Sequence, residues 1–190
     1  MSSVTSARGN VEVMLPSFET ERLFLRPRIM ADLKASLAMD RNAEVTRFIP
    51  GPWQEPVQHE AFVRQRIEAK YGNGLGYWSI FAKSDPQRFV GWVLLIPLDA
   101  VGPDVEIGWR LQRSSWGRGY ATGATVRIVR HAFTTVRLPG IVAEIDADNL
   151  ASRRVAEKIG MVVAGRTDHG GRSGLRYLMT QSDYLAVTKE

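Results

Sequence analysis

The chain contains no cysteine among its 190 residues. That excludes disulfides, thiolate nucleophiles and cysteine-ligated zinc, and makes a cytoplasmic location the simplest reading. Histidine is scarce. His59, His131 and His169 stand at no ligand spacing such as H-E-x-x-H, so no metal is expected. No G-x-S-x-G marks a serine hydrolase. No run of about 18 apolar residues exists to cross a membrane. The opening MSSVTSARGN lacks the apolar centre of a secretion signal. Residues 1–17 are expected to be a flexible tail, ahead of a single domain over 18–190. Clustered positive charge is missing as well. The net charge is +5, but the longest run of adjacent cations is Arg153–Arg154. That fits a solvated basic surface better than a specific nucleic-acid partner.

What is present is an ordinary globular composition, 44% hydrophobic, arranged in readable periods. ERLFLRPR (21–28) alternates as a half-buried strand stopped by Pro27. A short helix is expected over 30–40 and a longer one over 57–71, with Val63, Ile67 and Tyr71 on one stripe. FIPGPWQEP (48–56) between them reads as loop. YWSIFA (77–82) and FVGWVLLIPL (89–98) make a hairpin, and the second strand, apolar on both faces, belongs at the centre of a sheet. VEIGWRL (105–111) is a further strand. A Gly-rich turn leads from it into a helix with Ala121, Ala124, Ile128 and Ala132 on one face. IVAEID (141–146) is a strand, and DNLASRRVAEKIG a helix closed by Gly160. MVVAGRTD and LRYLMTQ form a last hairpin around HGGRSG, which holds His169. The order predicts one α+β, or mixed α/β, domain.

The turn SSWGRGYATG places Gly117, Gly119 and Gly123 where a helix begins. A helix start offers unpaired N–H groups and positive partial charge, and glycine lets a diphosphate come close to them. Arg113 and Arg118 would add charge. A tight strand-to-helix turn explains the same residues. G-R-G-Y-A-T-G also comes within one position of the dinucleotide fingerprint G-x-G-x-x-G, so a dinucleotide-binding oxidoreductase is a lesser alternative; that fingerprint needs a parallel βαβ setting. SRRVAEKIG resembles the first helix of a DNA-binding helix-turn-helix, but the strand-like MVVAGRT comes next. An Arg153–Glu157 pair is the simpler expectation there. Glu106 and Glu144 each lie in an otherwise apolar strand. Either is a candidate general base if buried, or a solvent-facing member of an alternating strand.

Taken in order, TERLFLRP (20–27), VEIGWRL with WGRGYAT (116–122), and IDADNLASRRVAEKIGM (145–161) resemble the GNAT superfamily of acetyl-coenzyme A-dependent N-acetyltransferases. The nearest likeness is to the branch of ribosomal-protein N-terminal acetyltransferases, RimJ and RimL. The resemblance runs from about residue 18 nearly to the end. It implies a central, mostly antiparallel twisted sheet, splayed between its fourth and fifth strands (105–111 and 141–146), with flanking helices. It implies acetyl-CoA as cosubstrate, with no metal. Trp109 and Leu111 would line the pantetheine arm, and Arg113, Gly117, Arg118, Gly119, Tyr120, Ala121, Thr122 and Gly123 the pyrophosphate loop. Asn149 would bond the pantetheine, and Ser152 would lie by the thioester sulfur.

The implied reaction is direct attack by a primary amine, without an enzyme nucleophile. It needs placement of the amine, a base (Glu106 ahead of Glu144), and a backbone N–H near Gly108 or Trp109 for the oxyanion. The acceptor is expected to be a protein N-terminal α-amine or a small-molecule amine, set by the 41–60 segment (Arg47, Phe48, Trp53) and the 168–174 hairpin. The protein would be a monomer or homodimer, with no membrane partner. The chain departs from the branch at Ser114, at Gly123 where the branch has Glu, and at Ala156 where many relatives have a Tyr acid. These departures keep open a CoA-binding protein with little or no catalysis.

Overall fold

The structure is a computed structural model that describes residues 15–72, 74–168 and 171–188. Most of the expected tail, residues 1–14, and His169 of the last turn lie outside the described residues. Packing is already established at Leu15, which lies against the core, and at Pro16, whose carbonyl accepts the Trp78 indole N–H at 2.7 Å.

The elements run β1 (Phe18–Glu19), β2 (Leu23–Pro27), α1 (Leu33–Asp40), α2 (Ala43–Thr46), α3 (Pro56–Glu68), β3 (Gly76–Ala82), β4 (Asp85–Pro97), β5 (Val105–Leu111), α4 (Tyr120–His131), β6 (Gly140–Asp146), α5 (Leu150–Lys158), β7 (Val162–Asp168), β8 (Ser173–Thr180) and α6 (Gln181–Val187). The strands form one sheet in the order β1-β2-β3-β4-β5-β6-β8-β7. Every pairing is antiparallel except β5 with β6, which is parallel and has a single register pair, Glu106 opposite Val142. The expected splay between 105–111 and 141–146 is therefore present.

The period-2 pattern explains the layers. Leu23, Leu25, Trp78, Ile80, Val93, Leu95 and Ile107 face one way and pack against Ala124 and Ile128 of α4, Ala132 just after it, and Ala156 of α5. Tyr77, Phe81, Phe89, Trp92, Leu94 and Ile96 face the other way and meet Met39 of α1 and Val45 of α2. β4 contributes to both clusters and pairs on both edges, as its two-sided apolar pattern requires.

Several local expectations are corrected. The 41–60 segment is not all loop: Asn42 caps α2 by accepting the Glu44 N–H at 2.9 Å, and Pro56 opens α3 at the position where a missing N–H costs nothing. α3 ends at Glu68, so Tyr71 lies beyond the helix. α4 gives way after His131 to a wider π turn over Ala132–Val136. α6 starts from a Thr180–Asp183 capping box, whose T-x-x-D signature is visible in the sequence. The Arg153–Glu157 pair is indirect: the Arg153 Nε donates to the Tyr177 hydroxyl at 3.3 Å, and that hydroxyl donates to Glu157 at 3.1 Å. The element after α5 is the strand β7, so no recognition helix exists there.

Gly123 lies one turn into α4 with ordinary helical geometry. A methyl group there would meet only Leu23 Cδ1, at 3.8 Å. Gly123→Ala should therefore stabilise the protein by about 1 kcal/mol, which thermal unfolding should report as a rise of about 2–4 °C in Tm.

Candidate active site

The splay organises two cavities that meet. Beyond Glu106 and Val142 the two backbones separate, and the edge of β5 has no strand partner. Alternation along the antiparallel β4–β5 ladder, anchored by the Gln112 N–H on the Val90 carbonyl at 2.9 Å, directs the Gly108 N–H toward Leu94 and the Trp109 and Leu111 N–H groups toward the gap. Of the two candidate oxyanion donors, the geometry leaves Trp109 available.

A cavity of about 520 Å³ lies on the α4 side of the gap. Trp109 and Leu111 of β5, Gly117, Gly119, Tyr120, Ala121 and Thr122 of the turn, and Asn149 and Ser152 of α5 all line it. Gly117 (φ 71°) and Gly119 (φ 73°) are left-handed, which only glycine adopts readily. Gly119 is the N-cap of the twelve-residue α4, so the N–H groups of Tyr120, Ala121 and Thr122 have no intrahelical acceptor. The amide of Gly123 is spent on the Gly119 carbonyl at 3.0 Å and is not among these donors. The arrangement fits a diphosphate: a helix N-terminus, open amides and close backbone access.

Two expected residues stand apart from this lining. Arg113 donates to Glu44 at 2.8 Å and lies over the Trp116 ring. Arg118 presents its carbonyl to the Arg22 guanidinium at 2.8 Å, and Arg22 in turn stacks over Tyr120. Cations that the sequence did not single out, Arg154 and Lys158 on the outward side of α5, do line the cavity. Their i, i+4 spacing was the signal, but it equally describes a solvated helix face.

A second cavity, of about 630 Å³, opens on the opposite side. It shares Phe48, Ile49, Trp109, Arg110, Asn149 and Ser152 with the first. Glu106 and Glu144 both face it. Their environments differ. Glu106 has no ion pair or hydrogen bond among the described residues, and burial, then the charges of Glu144 and Asp99, push its carboxyl up to about 7. Glu144 sits opposite Arg176 on β8 and accepts from it at 2.7 Å, while Arg176 also pairs with Asp104. Asn149 uses its Oδ1 to cap α5, accepting the Ser152 N–H at 3.1 Å, so the cap fixes Ser152 at the junction of the cavities. Ala156 is fully buried and offers no acid.

The two segments expected to shape the second cavity touch: Arg172 donates to the Arg47 carbonyl at 3.1 Å. Phe48 and Trp53 line the cavity, whereas Arg47 turns outward over Phe48. Sequence reasoning missed the buried Asp40, which holds Arg110 at 2.8 Å and His59 at 3.3 Å. Its partners lie 19 and 70 residues away, beyond any local pattern.

Residues 22–162 match the family model described as acetyltransferase (GNAT) domain. The chain belongs to the GNAT acetyltransferase family. It is an acetyl-CoA-dependent N-acetyltransferase by family, not the dinucleotide-binding oxidoreductase held as a lesser alternative. The chain is 29% identical over 153 residues to the uncharacterized N-acetyltransferase YoaA of Bacillus subtilis (strain 168), covering 80% of this chain and 86% of that protein. It is 27% identical over 173 residues to spermidine N(1)-acetyltransferase of Escherichia coli (strain K12), covering 87% and 89%. The fold superposes on a GNAT-family acetyltransferase from Bacillus anthracis with a TM-score of 0.75, at 23% identity, covering 88% of this chain and 99% of that one.

Gly119→Val should weaken acetyl-CoA binding by more than tenfold in a calorimetric titration. A β-branched residue resists the left-handed geometry, and its Cβ would sit 3.1 Å from Arg22 Nη2. Unchanged affinity in a folded variant would contradict the loop's role.

Proposed function

We propose that this GNAT acetyltransferase transfers the acetyl group of acetyl-CoA to the primary amine of a small molecule bound in the cavity of about 630 Å³. The observation that carries this reading is Glu106, a carboxyl without an ion pair, pushed up to about 7 on the wall of that cavity, three residues along β5 from Trp109, where the two cavities meet. The relative acting on spermidine supports a small amine as acceptor. A protein N-terminal α-amine is the second reading. The ordered likeness to the RimJ and RimL branch favours it, and a peptide library in the same assay separates the two. The cysteine-free chain is consistent with a cytoplasmic enzyme.

Each residue then has a role. The amides of Tyr120, Ala121 and Thr122, with Gly117 and Gly119 and the backbone of Arg118, receive the pyrophosphate; Arg154 and Lys158 add positive charge. The free edge at Trp109 and Leu111 and the Asn149 amide hold the pantetheine arm. Acetyl-CoA supplies the thioester whose carbonyl carbon the amine attacks. As the C–N bond forms and the C–S bond breaks, Glu106 accepts the amine proton, directly or through water. The Trp109 N–H faces the carbonyl oxygen as negative charge develops on it. The departing thiolate takes a proton from water or from Ser152, whose hydroxyl regains one from solvent. Glu144, tied to Arg176, lies close enough to Glu106 for its charge to help raise that carboxyl.

Turnover should rise with pH as Glu106 ionises, with a midpoint near 7. Glu106→Gln should lower kcat by about 10²–10⁴ and remove that limb of the profile. A full-rate variant with the native profile would exclude Glu106 as base.

The stability effect has the opposite sign. A carboxyl raised from 4.5 to about 7 binds its proton more tightly in the folded chain. Its stabilising contribution is complete below about pH 4.5 and is lost as pH rises through about 7. Glu106→Gln should therefore gain in Tm over the native protein between pH 5 and pH 8. A constant difference across that range would contradict the raised carboxyl.

A further inference from the structure

The cavity that holds Glu106 is chemically two-ended. Glu106 and Glu144 lie at the splay. Arg28, Tyr77 and Trp92 lie on the β2–β4 side, with the Asp40–Arg110 pair over Trp92. The carboxylates on that side are already committed. Asp40 gives one oxygen to Arg110 and faces His59 with the other. Asp32 accepts twice from Arg26, at 2.8 and 2.7 Å, once from the Ile29 N–H at 3.0 Å, and once from the Ser79 hydroxyl at 2.8 Å.

Arg28 is left over. It is only 8% exposed, yet its side chain has no hydrogen bond or ion pair among the described residues, and its Nε is buried without an acceptor. Its guanidinium rests on the faces of Tyr77, at 5.2 Å, and Trp92, at 6.0 Å. Tyr77 cannot act as its counter-ion, because burial pushes that hydroxyl up to about 12. Arg66, which lies over Phe62 at 3.5 Å and lines the same cavity, makes no ion pair among the described residues, although its charge is felt at Glu106. A buried guanidinium without an acceptor is costly unless something supplies one. Guanidinium forks match carboxylate and phosphate oxygens.

The sheet register relates Arg28 to the reacting end. Its N–H bonds to the Tyr77 carbonyl, Tyr77 lies opposite Leu94, and Leu94 lies opposite Gly108. Arg28 and Gly108 are thus in one row across three strand spacings, about 14 Å between backbones. The Arg28 side chain leans back over β3 and β4 and closes part of that distance. Glu106 is two residues along β5 on the same face.

We propose that Arg28 anchors an anionic group of the acceptor, so that the substrate is a compact amino acid-like molecule with its amine at Glu106 and its carboxylate or phosphonate on Arg28. The proposal rests on the acetyltransferase reading and names its substrate class. A polyamine has no group for Arg28 and would place a cation against it.

The test measures acetyl-CoA-dependent thiol release with matched acceptors: L-methionine, L-phenylalanine and 4-aminobutyrate beside their amides, 2-aminoethylphosphonate beside ethanolamine, and spermidine. The anionic member of the best pair should exceed its neutral counterpart at least tenfold in kcat/KM, mainly through KM. Whether the amino acids or the phosphonate show that preference identifies the anion. Arg28→Gln should reduce the preference to within threefold, and Arg28→Lys should restore part of it, with acetyl-CoA affinity reporting that each variant is folded. If the glutamine variant does not fold, the native preference and the lysine variant still decide. Equal or better rates with the amides or spermidine, or a preference that survives Arg28→Gln, would overturn this proposal alone. Acetyl-CoA binding with no amine of any class acetylated would overturn the enzymatic reading and this proposal with it.

Discussion

Where β5 and β6 part company, the protein gives up backbone pairing in its own sheet. Only Glu106 and Val142 hold a parallel register, and the N–H groups of Trp109 and Leu111 are left facing a gap. Unpaired backbone groups in a protein interior need partners. Here they are lodged between two cavities instead of being capped by a neighbouring strand. In the proposed function the cosubstrate's extended arm completes the edge. The rest of the structure keeps that edge open: β4 braces β5 from behind, α4 opens with free amides at one end of the gap, and α5 is pinned by the Asn149 cap at the other.

The same gap organises the electrostatics. The α4 side is positive, from a helix N-terminus with Arg154 and Lys158 beside it. The opposite side carries a graded set of acids and bases. Glu144 is compensated by Arg176, Asp40 by Arg110, and Asp32 by Arg26. Glu106 and Arg28 make no ion pair among the described residues and sit toward opposite ends of one cavity, whose lining also carries Asp99 and Arg66. Leaving opposite charges unpaired at either end of a binding space is unfavourable for the empty protein. It suits a ligand that carries both charges in the complementary order.

The periodic elements were legible in the sequence. The two-sided apolar run of β4, the alternating VEIGWRL of β5 and the 3.6-residue stripe of α4 each state their own burial, and the strand-to-helix turn announced its left-handed glycines. The short helices α2 and α6 were missed because a one- or two-turn helix has too few residues to show a period, although Asn42 and Thr180 carry its capping chemistry. The expected Arg153–Glu157 pair gave way to Tyr177, which enters from β8 and has no local signature. Glu106 was placed ahead of Glu144 as base, but two similar strands carry little to separate them; the difference in their surroundings comes from Arg176, brought opposite Glu144 by a pairing between residues 32 apart in the chain. Arg28, just past the Pro27 stop, carried no local signal, and only the folded chain reveals that the nearby carboxylates are already taken.

Amide hydrogen exchange with and without acetyl-CoA tests the central claim most directly, because the free edge of β5 is a statement about particular backbone N–H groups. The account predicts that acetyl-CoA slows exchange at Trp109, Leu111, and Tyr120 through Thr122, while Gly108 and Gly123, already bonded within the protein, change little. Protection spread elsewhere, or no protection at Trp109 and Leu111 under saturating acetyl-CoA, would contradict the claim that the cosubstrate completes the splayed sheet.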